Sequence, residues 1–162
     1  MKFKTFLVNL GLDPKHRYAR EVRTESPELA GARQDGKSSY SRAYVVWKMI
    51  HNPNYSVGLL SPNRRMNTDF IQKIVQMLEK LNLEGMIKKV NKTSIEFQNN
   101  SRLYSEIPSK FVFKGRTSNI ILLDEPGYIS DIDNIYKDII PALATTGGTL
   151  IITKDSKELI AN

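Results

Sequence analysis

One stretch constrains this chain more than any other. Gly31-Ala32-Arg33-Gln34-Asp35-Gly36-Lys37-Ser38 satisfies the pattern G-x-x-x-x-G-K-[ST] at every fixed position. The pattern carries a geometry. Its glycines let successive backbone N–H groups turn inward around phosphate oxygens, its lysine reaches the terminal phosphates, and its hydroxyl completes the shell of a magnesium ion. Such a loop has to open a helix, whose N-terminus supplies free N–H groups and a partial positive charge. The following residues comply, because Tyr40, Ala43, Val46, Trp47 and Ile50 fall at helical intervals. The expectation is a site for ATP and Mg2+, with the nucleotide held by Gly31, Ala32, Arg33, Gln34, Asp35, Gly36, Lys37, Ser38 and Ser39 and the metal by Ser38. A ligand-free polar turn bounded by glycines would fit the same residues, so a second landmark has to decide.

That landmark is Asn119-Ile120-Ile121-Leu122-Leu123-Asp124-Glu125. Four apolar residues ending in two carboxylates describe a central strand, buried on both faces, that delivers acids to the carboxyl edge of a sheet. This is the Walker B pattern. Asp124 is expected to hold the metal through water, and Glu125 to orient and deprotonate the attacking water. Taken alone, the segment also reads as a strand ending in a polar turn. Beside an intact phosphate loop, the nucleotide reading wins.

Between and after the two landmarks, strands and helices alternate. The first helix stops at His51-Asn52-Pro53-Asn54, where proline can neither donate a helical N–H nor tolerate a helical predecessor. Residues 55–60 form a buried strand, and Ser61-Pro62-Asn63 is the turn at its carboxyl end, where open α/β sheets place ligands. A second amphipathic helix spans about 66–81, with Phe70, Ile71, Ile74, Val75, Leu78 and Leu81 on one face; Lys88, Lys89 and Lys92 make a small basic cluster. Residues 93–98 alternate like a half-buried strand, Asn99-Asn100 suits a hairpin turn, and 101–105 return as the partner. Ile129, Ile132, Ile135, Tyr136 and Ile139 mark a third helix closed by Pro141, residues 144–148 are a loop, and 149–153 a further buried strand. The order predicts an α/β, three-layer P-loop NTPase fold with a mostly parallel central sheet, arranged as in RecA-like motor ATPases.

Residues 1–25 are the least legible. Phe3, Phe6, Leu7, Val8 and Leu10 fit one short helix or strand, and 16–23 are basic with a single aromatic, Tyr18. A phosphate loop normally follows an apolar strand, yet Thr24-Glu25-Ser26-Pro27-Glu28-Leu29-Ala30 stands here. Either that strand is very short, or it lies at 20–23 and the loop is lengthened.

The 162 residues, 40% hydrophobic and 25% charged, suit one domain over 1–162 with a sizeable core. The chain has no cysteine, which excludes a disulfide framework and thiolate chemistry. It has no apolar run long enough to cross a bilayer and no signal-peptide core, so it is read as soluble, without membrane contact and intracellular. A net charge of +7 suits a polyanion such as nucleic acid and plain solubility equally well. Arg64, Arg65, Lys88, Lys89 and Lys92 are basic residues the nucleotide site does not require, and they are candidates for salt-sensitive, sequence-blind DNA binding.

The run Ala32-Arg33-Gln34-Asp35-Gly36-Lys37-Ser38-Ser39 resembles the arginine-bearing Walker A loop of the large terminase subunit, the DNA-packaging ATPase of tailed bacteriophages. Residues 55–63 with the helix after them, Ile95-Glu96-Phe97-Gln98 with Asn99-Asn100-Ser101, Phe113-Lys114-Gly115-Arg116 and Leu150-Ile151-Ile152-Thr153 are similar to successive landmarks of that family. The resemblance covers about 30–155. It implies an ATPase that moves double-stranded DNA into a procapsid, working as a homo-oligomeric ring with the portal and the small terminase subunit in the host cytoplasm. It also implies that Arg33 senses or stabilises the terminal phosphate and that Thr153 couples hydrolysis to DNA movement. A trans-acting arginine is expected just before the Walker B strand, where this chain has Lys114-Gly115-Arg116 in place of the usual Arg-Gly. Lysine cannot make the bidentate contact, which leaves Arg116 as the candidate finger.

Two departures accompany the resemblance. Lys154-Asp155 stands after Thr153 where the family often has proline. The family also continues past the coupling motif with further strands and an RNase H-like nuclease, so no nuclease is expected from these residues and a sheet lacking its last strands stays open. A helicase-like, nucleic-acid-stimulated ATPase using Ala144-Thr145-Thr146 and a nucleotide-binding module without turnover remain as alternatives.

Overall fold

A computed structural model describes residues 1–109 and 112–155; positions 110, 111 and 156–162 of the expected 1–162 domain lie outside the described residues. Its frame is a seven-stranded sheet in the order β1-β7-β6-β2-β5-β4-β3. The strands are β1 (Glu28–Gly31), β2 (Ser56–Leu60), β3 (Ile87–Val90), β4 (Ser94–Phe97), β5 (Arg102–Glu106), β6 (Ile120–Asp124) and β7 (Thr149–Asp155). From β1 to β5 all neighbours are parallel, and β4 and β3 are added antiparallel. The crossovers are α3 (Lys37–His51), α4 (Arg64–Lys80) and α5 (Ile132–Ala144), preceded by the short α1 (Phe3–Asn9) and α2 (Arg17–Glu21).

The continuous apolar strands explain why the sheet is covered on both faces. Along β6, Ile120 and Leu122 belong to one core, and Ile121 and Leu123 to the other. The period of two in side-chain direction thus divides one strand between two layers. The first core is formed with α1, α2, α3 and α4, through Phe6, Leu7, Tyr18, Val46, Met49, Ile71 and Ile74. The second is formed with α5 and the segment before β6, through Phe113, Ile135, Ile139 and Ala142. The three-layer α/β expectation therefore holds.

The short-strand alternative for the residues before the loop is the one found. β1 has four residues and Leu29 is fully buried, whereas positions 17–21 are helical. β1 needs little apolar surface, because among the described residues it pairs on one side only, with β7.

One expectation is corrected and another gains a location. Pro141 does not close α5, which runs to Ala144. The lost N–H is offset by continued packing, since Ala142 and Leu143 join the second core and the Ala142 carbonyl accepts from Ser118 N at 2.9 Å. The basic cluster at 88–92 is in part a strand: Lys88 and Lys89 lie on β3, at the opposite end of the sheet from β1. Lysine there blunts a strand edge against pairing with other chains, and Lys88 also pairs with Glu96 at 3.7 Å.

The facing of α5 gives a direct test. Ile139 is 1% exposed and Ile140 67% exposed. In urea denaturation, Ile139→Ala is expected to lower stability by about 2–5 kcal/mol and Ile140→Ala to change it by less than about 0.5 kcal/mol. Similar losses at both positions would contradict the packing of this layer.

Candidate functional site

The carboxyl ends of β1 and β6 open into a cleft of about 480 Å3, lined by residues 33–39, Arg42, Met66, Lys73, Asp124 and Glu125. The volume is in the range of small-ligand sites. Loop and acid pair, 85 residues apart in the chain, thus meet in one concavity. Arg33 lies there on the exposed side of the loop, while Lys37 and Asp124 are buried.

The loop turns through two left-handed residues, Gln34 at φ 62° and Gly36 at φ 100°. The second suits only glycine comfortably, and it caps α3 directly. Gly31 is required for a different reason: a Cβ there would collide with the Asp35 carboxylate and the Tyr18 hydroxyl. Lys37 is 4% exposed. Its Nζ donates to the carbonyls of Ala32 (3.0 Å) and Gly31 (3.3 Å) and lies 3.7 Å from Asp35 Oδ1. The lysine and the loop backbone therefore orient one another.

Strand β7 ties the two landmarks together. Its register sets Gly31 beside Asp155 and Asp124 beside Thr153. Thr153 Oγ1 donates to Asp124 Oδ1 at 2.5 Å, Glu125 N donates to the Thr153 carbonyl at 2.8 Å, and Asp155 N donates to Glu125 Oε2 at 3.2 Å. Glu125 itself is left-handed, at φ 52°, a conformation a non-glycine residue adopts only when its surroundings enforce it. These bonds are the enforcing contacts.

Arg116 lies elsewhere. It stacks over the Tyr104 ring at 4.3 Å and its Nε is 3.9 Å from Glu106 Oε1, outside the lining of this cleft. Glu106 Oε2 also accepts from Phe113 N at 2.7 Å, so the end of β5 anchors the 113–116 turn.

Among the described residues no cluster of three or more His, Cys, Asp or Glu could hold a metal on its own. Ser38 and Asp124 offer two hard oxygen donors facing one cleft. That set fits magnesium, which takes one or two protein oxygens and completes its octahedron with phosphate and water.

Sequence reasoning missed the anchoring of the loop by α2. Tyr18, fully buried, donates to the Asp35 carboxylate, and Arg17 NH2 donates to the Ala30 carbonyl at 2.8 Å and lies 3.0 Å from the phenol oxygen. Burial, with the Asp35 hydrogen bond adding to it, pushes the Tyr18 phenol well above its ordinary value, so the donor proton stays in place at neutral pH. The one signal was a lone aromatic in a basic stretch. Arg42, Met66 and Lys73 were missed as well; Arg42 stands one helical turn after Ser38.

Tyr18→Phe keeps the ring and removes the donor to Asp35. It is expected to cost about 1–2 kcal/mol and to speed amide hydrogen exchange across 31–37; unchanged exchange there would mean that α2 does not hold the loop.

No protein-family model matches the sequence. Solved structures do match in fold. The large terminase ATPase domain of Thermus phage P74-26 superposes with a TM-score of 0.75 at 16% identity, over 93% of this chain and 68% of that one. The HK97 bacteriophage large terminase gives 0.65 at 15% identity, over 94% of this chain and 32% of that one. A large terminase from a thermophilic bacteriophage, in complex with ADP, gives 0.64 at 15% identity, over 93% and 38%. This chain thus spans about two-thirds of the isolated ATPase domain and about a third of the longer terminase chains. Its fold is the α/β, P-loop-like fold of the phage large terminase ATPase domain.

Proposed function

We propose that the chain is a magnesium-dependent ATP hydrolase that serves as the motor of viral DNA packaging, translocating double-stranded DNA into a procapsid. The observation that carries the reading is the meeting of residues 33–39 with Asp124 and Glu125 in one cleft, on a fold shared with phage terminase ATPase domains. The nucleotide complexes among those neighbours, with ADP and with ATP-γ-S, support the choice of ligand.

In this reading the loop amides of residues 31–39 cradle the phosphates, and Lys37 exchanges its loop carbonyls for phosphate oxygens. Arg33, exposed at the mouth, closes over the terminal phosphate. Ser38 and Asp124 would hold Mg2+, which when bound neutralises charge on the terminal phosphates. Glu125 accepts a proton from the attacking water, its carboxylate aimed by the Asp155 amide. Thr153, bonded to Asp124, passes a change at the acid strand into β7 and thence to β1. Arg116, outside its own cleft, is available to a neighbour's site in a ring, alongside the portal and small terminase subunit. Arg64 and Lys92 line a second groove, of about 640 Å3, which together with the exposed Arg65, Lys88 and Lys89 offers a surface to DNA phosphates.

Among the described residues no helix is long and apolar enough to cross a membrane; work in the host cytoplasm is part of the proposal. The one-domain reading of residues 1–162 belongs to the same proposal.

Lys37→Ala should abolish binding of magnesium-ATP in equilibrium titration. Glu125→Gln should retain binding while turnover falls by a factor on the order of a hundred or more. Turnover unchanged by the second substitution would move the base elsewhere. Binding to double-stranded DNA should be blind to sequence and weaken steeply with salt; salt-insensitive binding would leave the positive charge as a solubility feature.

A further inference from the structure

Arg42 is the most deeply buried cation of the cleft that the nucleotide reading does not use. It is 6% exposed, lines the cleft beside Ser38, Ser39 and Asp124, and its guanidinium stacks over the Phe70 ring at 4.7 Å. Its Nε has no protein acceptor, and none of the ion pairs among the described residues includes it. The nearby acids are engaged elsewhere: Asp69 pairs with Lys73 at 3.0 Å, and Asp124 accepts from Thr153. Burial pulls the Arg42 guanidinium down to about 10, with Asp69 and Asp124 acting the other way, so it is still charged at neutral pH.

A buried, charged and incompletely bonded arginine is costly to a fold and calls for a reason. A structural arginine would be paired. Arg42 instead keeps an unbonded Nε on a side chain that lines the cleft, one helical turn after Ser38 on α3. Ser38 and Arg42 share a helix face at i and i+4, and helical side chains lean toward the N-terminus, here the end that meets the phosphates.

Resting on the nucleotide-site reading, we propose that Arg42 is a phosphate-binding residue acting within its own subunit, and that it takes an oxyanion of the terminal phosphate. A group that bonds only the terminal phosphate distinguishes a nucleoside triphosphate from a diphosphate. That places a triphosphate-sensing cation under the cleft, on the face of α3 that packs toward α4, distinct from Lys37 and from Arg33 on the exposed loop.

The test compares the full chain with Arg42→Met, which keeps an apolar stem against Phe70, and with Arg42→Lys, which keeps the charge and loses the planar fork. Affinities for magnesium-ATP-γ-S and for magnesium-ADP are measured by calorimetry. Arg42→Met should weaken ATP-γ-S binding about tenfold or more and leave ADP within about twofold. Arg42→Lys should fall between parent and Arg42→Met. The melting temperature of Arg42→Met should be unchanged or higher, because an unpaired buried charge is gone. Equal loss for both nucleotides, or an unchanged preference for ATP-γ-S, would overturn the inference while leaving the nucleotide site intact. Failure of the parent to bind either nucleotide would overturn the site reading itself, and this inference with it.

Discussion

Strand β7 is the constraint on which the site depends. It pairs in parallel with β1 on one side and β6 on the other, setting Gly31 against Asp155 and Asp124 against Thr153. Parallel register is fixed where both faces are buried, because a slip of one residue would exchange the two cores. Here the slip would move Leu122 and Leu123 into each other's layer. Apolar packing in the middle of the sheet therefore sets the polar geometry at its edge. The short side-chain and backbone bonds of Thr153 and Asp155 to the acid pair are a consequence of that register.

A second layer of control comes from outside the sheet. Helix α2 contributes Arg17 and Tyr18, which meet the loop at Ala30 and Asp35. His16 stacks against Tyr40 of α3 at 4.9 Å, so the N-terminal segment grips both the loop and the helix that follows it. Gln34 and Glu125, both left-handed, sit at the two halves of the cleft. Local strain at both is borne by a well-packed frame, which orients the loop amides and the acid pair before any ligand arrives.

Much of this was legible in the sequence wherever one residue pattern has one physical meaning. The glycine spacing of 31–38, the apolar run ending in Asp124 and the amphipathic stripe of α4 each predict their element, and the Asn99-Asn100 turn joins β4 to β5 as expected. The fold class followed from their order. What stayed hidden rests on partners distant in sequence. β1 is polar at Glu28 yet becomes a strand through β7. β3 is the exception, since its partner β4 is its neighbour in the chain; there two lysines in a four-residue strand hid the pairing. α5 passes Pro141 because its last turn still packs on the sheet. Tyr18 and Arg42 acquire meaning only when α2 and α3 are brought to the loop, and no periodicity announces that.

The central claim is that loop, acid pair and the end of β7 form one nucleotide-responsive unit. Amide hydrogen exchange with and without magnesium-ATP-γ-S addresses it most directly. Slowed exchange is expected together across 31–39, at Glu125 and at Asp155, with β3 and β4 unaffected. Protection confined to the groove of Arg64 and Lys92, or protection of the loop with Glu125 and Asp155 unchanged, would contradict it.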